Sequence, residues 1–231
     1  MDAVHTVRAG VLMAGLLSGG RPSPFAGLCL LPGGAVSSGA MTDDPKTALR
    51  ALLSERRRSL APELLAERSR AAAALLAARP EWRAARVVAL YASLKREVDT
   101  APLFLAASES GKRVVFPRVC EGSRQLSFVA VRSLAELTLR GASKISEPEG
   151  PAVPLHEIDL LVVPGVAFDS RGERLGRGGG YYDVTLAAAR PDAARIGLCL
   201  ELQLVESIPV GPHDQRMSLV VTESRVIAVS R

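Results

Sequence analysis

The chain has 231 residues, a formal net charge of +5 and an ordinary globular composition, with 48% hydrophobic and 23% charged residues. Aromatic residues make up only 4%, so base stacking, on which single-stranded nucleic-acid recognition depends, has little material. The densest charge run, Arg56 to Arg58, is typical of a solvated helix face or a structural cluster. We therefore expect no nucleic-acid partner, and an anionic small molecule suits the modest positive charge better.

Cysteine and histidine spacing argues against a disulfide framework and a zinc centre. The three cysteines, Cys29, Cys120 and Cys199, form no C-x-x-C pair, and the three histidines form no HExxH motif. We expect reduced thiols in a cytoplasmic protein. The apolar run at 9–17 is too short to span a bilayer, and we expect no membrane partner.

The first 40 residues differ from the rest of the chain. They hold eight glycines and three prolines but only three formal charges, and the composition changes abruptly at Met41. We predict a low-order N-terminal extension at 1–40 and a single α/β catalytic domain at 41–231. Two other interpretations of the extension stay open: a weak secretory signal, and a start codon placed upstream of Met41.

Helical patterns begin at Pro45, where Thr42 or Asp43 is a candidate cap. The expected apolar face of this first helix consists of Leu49, Leu52 and Leu53. A second helix is predicted from Pro62 to about residue 79. Its expected apolar set consists of Leu64, Leu65, Ala72 and Leu75.

Strands and helices then alternate. Strands are predicted at 86–94, 113–119, 125–131 (half-exposed), 160–163, 195–200, 219–221 and 226–229. Helices are predicted at 100–110, capped by Thr100, and from 181 to about 190, whereas 132–157 is predicted as short helix and loop. The pattern predicts an α/β fold of three layers, with a mostly parallel central sheet flanked by helices. It would be Rossmann-like without the dinucleotide fingerprint, and the loops after Leu94, Val115 and Val163 should share one rim.

A glycine-rich turn stands between the strand at 160–163 and the helix that begins near Tyr181. Residues 176–180 hold four glycines, which let backbone N–H groups approach an anion at a helix N-terminus. This pattern favours a phosphate-bearing ligand. The spacing excludes both the P-loop and the dinucleotide motif. A flexible turn without a ligand remains the alternative.

Three carboxylates are candidate site residues. Asp183 falls in the first turn of the predicted helix, where it either compensates the helix dipole or binds Mg²⁺ together with Asp214. Glu97 follows the strand that ends at Leu94, and it is either solvated or a ligand contact on the shared rim.

Five cations complete the candidate set. Arg174 and Arg177 lie in the glycine-rich turn, and Lys46 and Arg50 are four residues apart on one helix face, which hints at a shared anion. Arg118 ends a strand, and a surface salt bridge is as good an interpretation as ligand contact.

Together these residues resemble the 5-formyltetrahydrofolate cyclo-ligase family, also called 5,10-methenyltetrahydrofolate synthetase. The most specific stretch is PGVAFDSRGERLGRGGGYYD at 164–183. Weaker matches follow the family's order: KTALR at 46–50, LYASLKREVDT at 90–100, VVFPRV at 114–119 and PHDQRMSLVVTE at 212–223. The resemblance covers about 46–229 and leaves 1–40 outside.

The resemblance implies an ATP- and Mg²⁺-dependent closure of 5-formyltetrahydrofolate to 5,10-methenyltetrahydrofolate, with release of ADP and phosphate. The implied partners are the folate and ATP, and we expect a monomer. Two alternatives are another ATP-dependent small-molecule kinase or ligase, and a folate- or nucleotide-binding protein without turnover.

The family pattern also assigns residue roles. The implied nucleotide contacts are Lys46, Arg50, Arg174, Leu175, Gly176, Arg177, Gly178, Gly179, Gly180, Tyr181 and Tyr182. The implied folate contacts are Ala92, Glu97, Arg118, Arg177, Gly178, Gly179, Gly180 and Tyr181. Arg177 and Lys46 would be catalytic, and Asp183 and Asp214 would hold Mg²⁺. Gly179 stands where some family members carry lysine.

Overall fold

The computed structural model describes residues 44–140 and 145–230. The α-helices in these ranges are α1 (Pro45–Arg58), α2 (Pro62–Ala77), α3 (Pro80–Ala84), α4 (Ala101–Glu109) and α5 (Tyr181–Ala188). The predicted extension at 1–40 lies outside the described residues, so the division of the chain near residue 40 stays a prediction.

Short strands alternate with these helices. They are β1 (Val87–Ala89), β2 (Arg113–Arg118), β3 (Ser127–Ala130), β4 (Thr138–Arg140), β5 (Ile145–Glu147), β6 (Ala152–Val153), β7 (Leu160–Val163), β8 (Ala167–Asp169), β9 (Arg174–Leu175), β10 (Ala194–Leu198), β11 (Leu204–Val205), β12 (Leu219–Val221) and β13 (Val226–Ala228). None of the described helices combines the length and apolar composition needed to cross a bilayer.

The central sheet has eight strands in the order β13-β12-β10-β7-β1-β2-β3-β6. The five strands from β12 to β2 pair in parallel. The pairings of β13 with β12, of β3 with β2 and of β6 with β3 are antiparallel. The prediction of a mostly parallel central sheet is therefore confirmed.

Alternating side chains of the central strands build a core on each face of the sheet. In β7, Leu160 and Val162 pack with helices α2 and α4, whereas Leu161 and Val163 pack with α5 and β8. This two-residue period is what a strand buried on both faces requires. The α4 crossover from β1 to β2 and the α5 crossover from β7 to β10 thus lie on opposite faces, which confirms the predicted three-layer, Rossmann-like architecture.

The apolar face predicted for helix α1 is confirmed at Leu49 and Leu53 and is wrong at Leu52. Its N-cap is Asp44, not Thr42 or Asp43, and the Asp44 carboxylate accepts hydrogen bonds from the Lys46 N–H and the Thr47 hydroxyl. Leu53 is fully buried, but Leu52 is exposed and does not belong to the apolar face. In α2 the buried set is Ser69, Ala72, Ala73 and Leu76, so the predicted Leu64 is wrong.

Three strand predictions also need correction. The strand predicted at 86–94 ends at Ala89, because the chain then leaves the sheet and the Tyr91 carbonyl accepts a hydrogen bond from the Thr100 hydroxyl. The strand predicted as half-exposed has both Phe128 and Val129 buried, so side chains on both faces of β3 are covered. Residues 132–157 contain a β4–β5 hairpin and β6, and strands this short leave little periodicity to detect.

A second, smaller sheet positions the glycine-rich turn. Strands β8 and β9 form an antiparallel pair, and β11 adds to β8 in parallel. Strand β9 ends at Leu175, so the turn at 176–180 begins directly after it and leads into α5. The neighbouring strands β1 and β7 carry the crossovers to opposite faces, and such a switch point places a ligand crevice at their carboxyl ends.

Candidate active site

A cleft of about 860 Å³ opens at the carboxyl ends of the parallel strands. Loops that follow β1, β2 and β7 contribute to its walls, as predicted for the shared rim. All predicted site residues except Arg118 line it: Lys46, Arg50, Ala92, Glu97, Arg174, Leu175, Gly176, Arg177, Gly178, Gly179, Gly180, Tyr181, Tyr182, Asp183 and Asp214. The fold therefore brings together residues that are up to 168 positions apart.

At two positions of the glycine loop, residues 176–180, the backbone has a conformation that favours glycine. Gly178 has a φ of 104° and Gly180 a φ of 72°. Gly180 is the N-cap of α5, and no side chain of the described residues caps the first N–H groups of that helix. Uncapped amides at a helix N-terminus suit a phosphate, which agrees with the ligand class that the sequence predicts.

Arg174 is buried beneath this loop, with only 4% of its side chain exposed. Its Nη2 donates to Oδ1 of Asp183 at 2.6 Å, and its Nη1 donates to the Pro164 carbonyl at 3.4 Å. The guanidinium also lies 5.6 Å from the centroid of the Tyr182 ring. A Cβ at Gly176 would lie 2.8 Å from Nη1 of Arg174, so the close approach of this guanidinium also requires glycine there.

Arg177 differs from Arg174 because 55% of its side chain is exposed. Its Nη2 donates to Oε1 of Glu97 at 2.8 Å, across the space between the glycine loop and the loop after β1. Glu97 is itself buried, and its Oε2 accepts a hydrogen bond from the Leu94 N–H at 3.0 Å. The guanidinium of Arg177 is thus the exposed half of a pair whose carboxylate is fixed.

Helix α1 supplies two more cations to the cleft. Lys46 Nζ donates to Oδ2 of Asp214 at 2.6 Å, and the Gly211 N–H donates to the same oxygen. Arg50 Nε donates to the Gly176 carbonyl at 2.9 Å, so α1 is attached to the glycine loop. Burial raises the pKa of Asp214, but the hydrogen bonds from Lys46 and Gly211 outweigh burial, and the net pKa is lowered.

The two predicted metal ligands are each paired with a cation. Asp183 binds Arg174 through Oδ1, and Asp214 binds Lys46 through Oδ2. No hydrogen bond from the described residues reaches the second oxygen of either carboxylate. Groups of three or more histidine, cysteine, aspartate or glutamate residues that could hold a metal ion do not occur in residues 44–140 and 145–230. A cation here would therefore need oxygen ligands from a bound phosphate as well.

The structure changes the interpretation of two predicted positions, Arg118 and Gly179. Arg118 is not part of the cleft lining, and its Nη1 donates to the Gly150 carbonyl at 3.2 Å. Gly179 packs against the next aromatic residue, since a Cβ there would lie 2.9 Å from Cδ2 of Tyr181. A lysine at position 179 would therefore require the Tyr181 ring to move.

Sequence reasoning missed several cleft residues. They are Tyr91, Leu94, Pro117, Val119, Glu121, Leu126, Ile145, Glu147, Pro164 and Gly165. Most are apolar, and apolar residues in loops carry no motif that separates a binding wall from ordinary packing. Glu147 lies in the unpredicted strand β5, where its Oε1 accepts a hydrogen bond from the Val119 N–H.

Burial raises the pKa of the Tyr182 phenol, and Glu97 adds to this while Arg174 opposes it.

Comparison with known proteins gives the family. The sequence model of the 5-formyltetrahydrofolate cyclo-ligase family matches residues 42–223. The 5-formyltetrahydrofolate cyclo-ligase of Escherichia coli K12 is 37% identical over 180 residues, which are 76% of this chain and 98% of that protein. The Mycolicibacterium smegmatis enzyme of the same name is 30% identical over 202 residues, 83% of this chain and 100% of that protein.

A solved structure agrees with the sequence matches. The 5,10-methenyltetrahydrofolate synthetase of Aquifex aeolicus superposes with a TM-score of 0.71 at 34% identity, covering 80% of this chain and 93% of that chain. The family match spans both the glycine loop and the pairs that surround it. The chain belongs to the 5-formyltetrahydrofolate cyclo-ligase family.

Proposed function

We propose that this enzyme closes 5-formyltetrahydrofolate to 5,10-methenyltetrahydrofolate while consuming ATP and releasing ADP and phosphate. The observation that carries the proposal is the single cleft of about 860 Å³ in which uncapped helix amides and cations face a buried carboxylate. Such a cleft can hold a triphosphate beside a heterocycle with N–H donors. Arg177 lies between the two subsites because it pairs with Glu97 from the glycine loop.

The reaction needs activation because an N-formyl oxygen is a poor leaving group. In the proposed sequence the formyl oxygen attacks the γ-phosphorus of ATP, and the bond from that phosphorus to the bridging oxygen breaks, so ADP leaves. N10 of the folate then attacks the activated formyl carbon and loses its proton to water or to the departing phosphate, and the carbon–oxygen bond to phosphate breaks as the ring closes. Neither step requires a protein nucleophile, since phosphoryl transfer depends chiefly on positioning and charge neutralisation.

The residues of this chain supply those two effects. Amides of the glycine loop and of the first turn of α5 bind the phosphates, and Arg177 and Lys46 stabilise the charge that develops on the transferred group. Glu97 accepts hydrogen bonds from N–H groups of the pterin ring, because an ionised carboxylate is an acceptor only. Arg50 attaches the glycine loop to α1 through its hydrogen bond to the Gly176 carbonyl.

Asp183 and Asp214 are the residues proposed to hold Mg²⁺. They fit, because both line the cleft and each has a second carboxylate oxygen to which no described residue donates a hydrogen bond. Mg²⁺ in nucleotide sites usually takes one or two carboxylates together with phosphate oxygens. When bound, the ion would neutralise charge on the phosphates of ATP.

The remaining expectations concern assembly and location. We infer a monomer that binds the folate and ATP but no nucleic acid, and a cytoplasmic location. The absence of a nucleic-acid partner is supported by the composition, since aromatic residues, on which base stacking depends, are only 4% of the chain. Size-exclusion chromatography with light scattering tests the monomer, and a mass twice that of the 24.4 kDa chain would contradict it.

The test of function uses the full-length protein with ATP, Mg²⁺ and 5-formyltetrahydrofolate. Methenyl absorbance should rise with time, and it should not rise when ATP is omitted. ADP release that does not depend on the folate would favour another ATP-dependent kinase or ligase. Tight binding of both ligands without product would favour a binding protein that lacks turnover.

A further inference from the structure

Arg57 of helix α1 is also coupled electrostatically to Glu97, although no hydrogen bond or ion pair joins the two side chains among the contacts of the described residues. Leu49, Leu53 and Arg57 recur every four residues along α1, so they share the face that packs inward. Arg57 is only 8% exposed, although its neighbours Arg56 and Arg58 in the same charge run are exposed. In this charge run, Arg56 and Arg58 are therefore solvated, whereas Arg57 is a buried cation.

The turn that carries Glu97 is attached to the end of α1 beside Arg57. Nη1 of Arg96 donates to the Arg57 carbonyl at 3.1 Å and also to the Arg58 carbonyl. Carbonyls at a helix C-terminus carry partial negative charge, so they suit a guanidinium. Arg96 also has a φ of 72°, a left-handed conformation that is strained for an arginine and that sets the direction of the next residue, Glu97.

The Arg57 guanidinium keeps a hydrogen-bond donor without a partner in the described part of the chain. Its Nε is buried and donates to no acceptor among the described residues. An unsatisfied buried donor is costly. Burial lowers the pKa of Arg57, and Glu97 is the group that opposes this most, while Arg177 adds to the lowering.

The two arginines beside Glu97 differ in what they can do. Arg177 is 55% exposed and can turn from Glu97 toward a phosphate, whereas Arg57 is enclosed by packing and cannot. Once Arg177 leaves, the described contacts of the Glu97 side chain reduce to the Leu94 N–H. A buried carboxylate without a nearby positive charge is costly.

We propose that Arg57 is a positioning residue, whose enclosed positive charge balances that of Glu97 through space when Arg177 turns to ATP, so that the carboxylate remains available in the cleft for the folate. This inference rests on the proposed function, because it needs Glu97 to receive the pterin. It assigns a role in folate binding to a residue that does not line the cleft.

Three single variants test the proposal. Arg57→Met should raise the KM for 5-formyltetrahydrofolate ~10-fold, as the loss of a coupled charge contact does, while the KM for ATP stays within about twofold. Arg57→Lys should restore most of the folate KM, because it returns the charge. Arg58→Met is the matched control: its side chain is 65% exposed and pairs with Glu55, so its folate KM should equal that of the wild type.

A double-mutant cycle separates positioning from a general effect on folding. In a Glu97→Gln background, Arg57→Met should change the folate KM by less than about twofold, since the charge that it balances is gone. An equal KM increase in both backgrounds, or no increase in the wild-type background, would overturn the proposal. Unfolding temperatures are measured alongside, and Arg57→Gln repeats the cycle if Arg57→Met does not fold. If the wild-type enzyme shows no folate-dependent turnover, the proposed function fails. If the wild type turns over the folate but the cycle shows no coupling, only the role of Arg57 fails, so the two failures are distinguishable.

Discussion

Arg174 and Arg177 lie three residues apart in one glycine-rich segment, yet their guanidinium groups have opposite environments. Arg174 is 4% exposed and contacts Asp183, the Pro164 carbonyl and the Tyr182 ring. Arg177 is 55% exposed and reaches across the cleft to Glu97. We infer that the first arginine shapes the site and that the second contacts the reacting groups, although the sequence motif presents them as equivalent.

The largest expected effect is on activity at position 177. Arg177→Ala should lower kcat/KM by ~10²-fold or more, because a donor to the charge of the transferring phosphoryl group is removed. Its unfolding temperature should change little, because the Arg177 side chain is 55% exposed and the enclosed charge of Arg57 still balances Glu97. Steady-state kinetics and thermal unfolding of the same preparation measure both quantities.

Arg171→Ala is the matched control for that prediction. Arg171 is 54% exposed and pairs with the buried Asp169, so it reproduces the exposure and the pairing of Arg177 outside the cleft. We expect its kcat/KM to stay within about threefold of the wild type. Equal losses in the two variants would show that Arg177 has no specific role in the reaction.

Arg174→Met should show the reverse pattern, with its first effect on stability. The free energy of unfolding should fall by about 2 kcal/mol, less than the 3–5 kcal/mol of a fully buried pair because Asp183 is partly exposed. Chemical denaturation measures this value. If stability is unchanged while kcat/KM falls as far as in Arg177→Ala, Arg174 contacts the ligand directly and the contrast between the two arginines is wrong.

Asp183→Asn tests whether the ion-pair partner of Arg174 also binds Mg²⁺. We expect the Mg²⁺ concentration for half-maximal activity to rise ~10-fold, and direct Mg²⁺ binding in the presence of ATP to weaken by a similar factor. Calorimetric titration of the metal provides the second measurement. If neither value moves, Asp183 serves only as the partner of Arg174 and of the α5 dipole.

The smallest expected effect concerns the ion pair of Lys46 and Asp214, which is more exposed than that of Arg174. The pKa of Asp214 is lowered in the folded protein, so its stabilising contribution is present above the ordinary aspartate value of 3.8 and is lost as the pH falls further. Asp214→Asn should therefore be less stable than the wild type by about 1 kcal/mol or less at pH 7. The difference should shrink as the pH falls below 3.8, and a difference that stays constant as the protein is acidified from pH 7 would contradict this prediction.

The sequence predicts the membership of this site far better than its internal contacts. The glycine loop is recognisable because its residues are contiguous and of one type, and the parallel sheet because β7 is a continuous apolar run. The pairs of Arg177 with Glu97 and of Lys46 with Asp214 join residues that are 80 and 168 positions apart, and only the folded chain shows them.

Burial of charged residues is the part that the sequence could not predict. Arginine is mostly exposed in proteins, so nothing marks Arg174 in a polar loop or Arg57 in a charge run as buried. Arg57 is enclosed because it continues the inward face of Leu49 and Leu53, and Arg174 because Gly176 leaves room for its guanidinium. The short strands β5, β8 and β9 were missed for a related reason, since tertiary contacts and not local periodicity define them.

The ratio of methenyl product to ADP tests most directly whether ring closure and ATP consumption are one reaction in this cleft. Full-length enzyme with limiting 5-formyltetrahydrofolate, excess ATP and Mg²⁺ is followed for methenyl absorbance and for ADP in the same sample. If ATP drives the ring closure, the two products should form in equal amounts at every time point, and no ADP should form without the folate. ADP that forms without the folate, or ring closure without ATP, would contradict the proposed function.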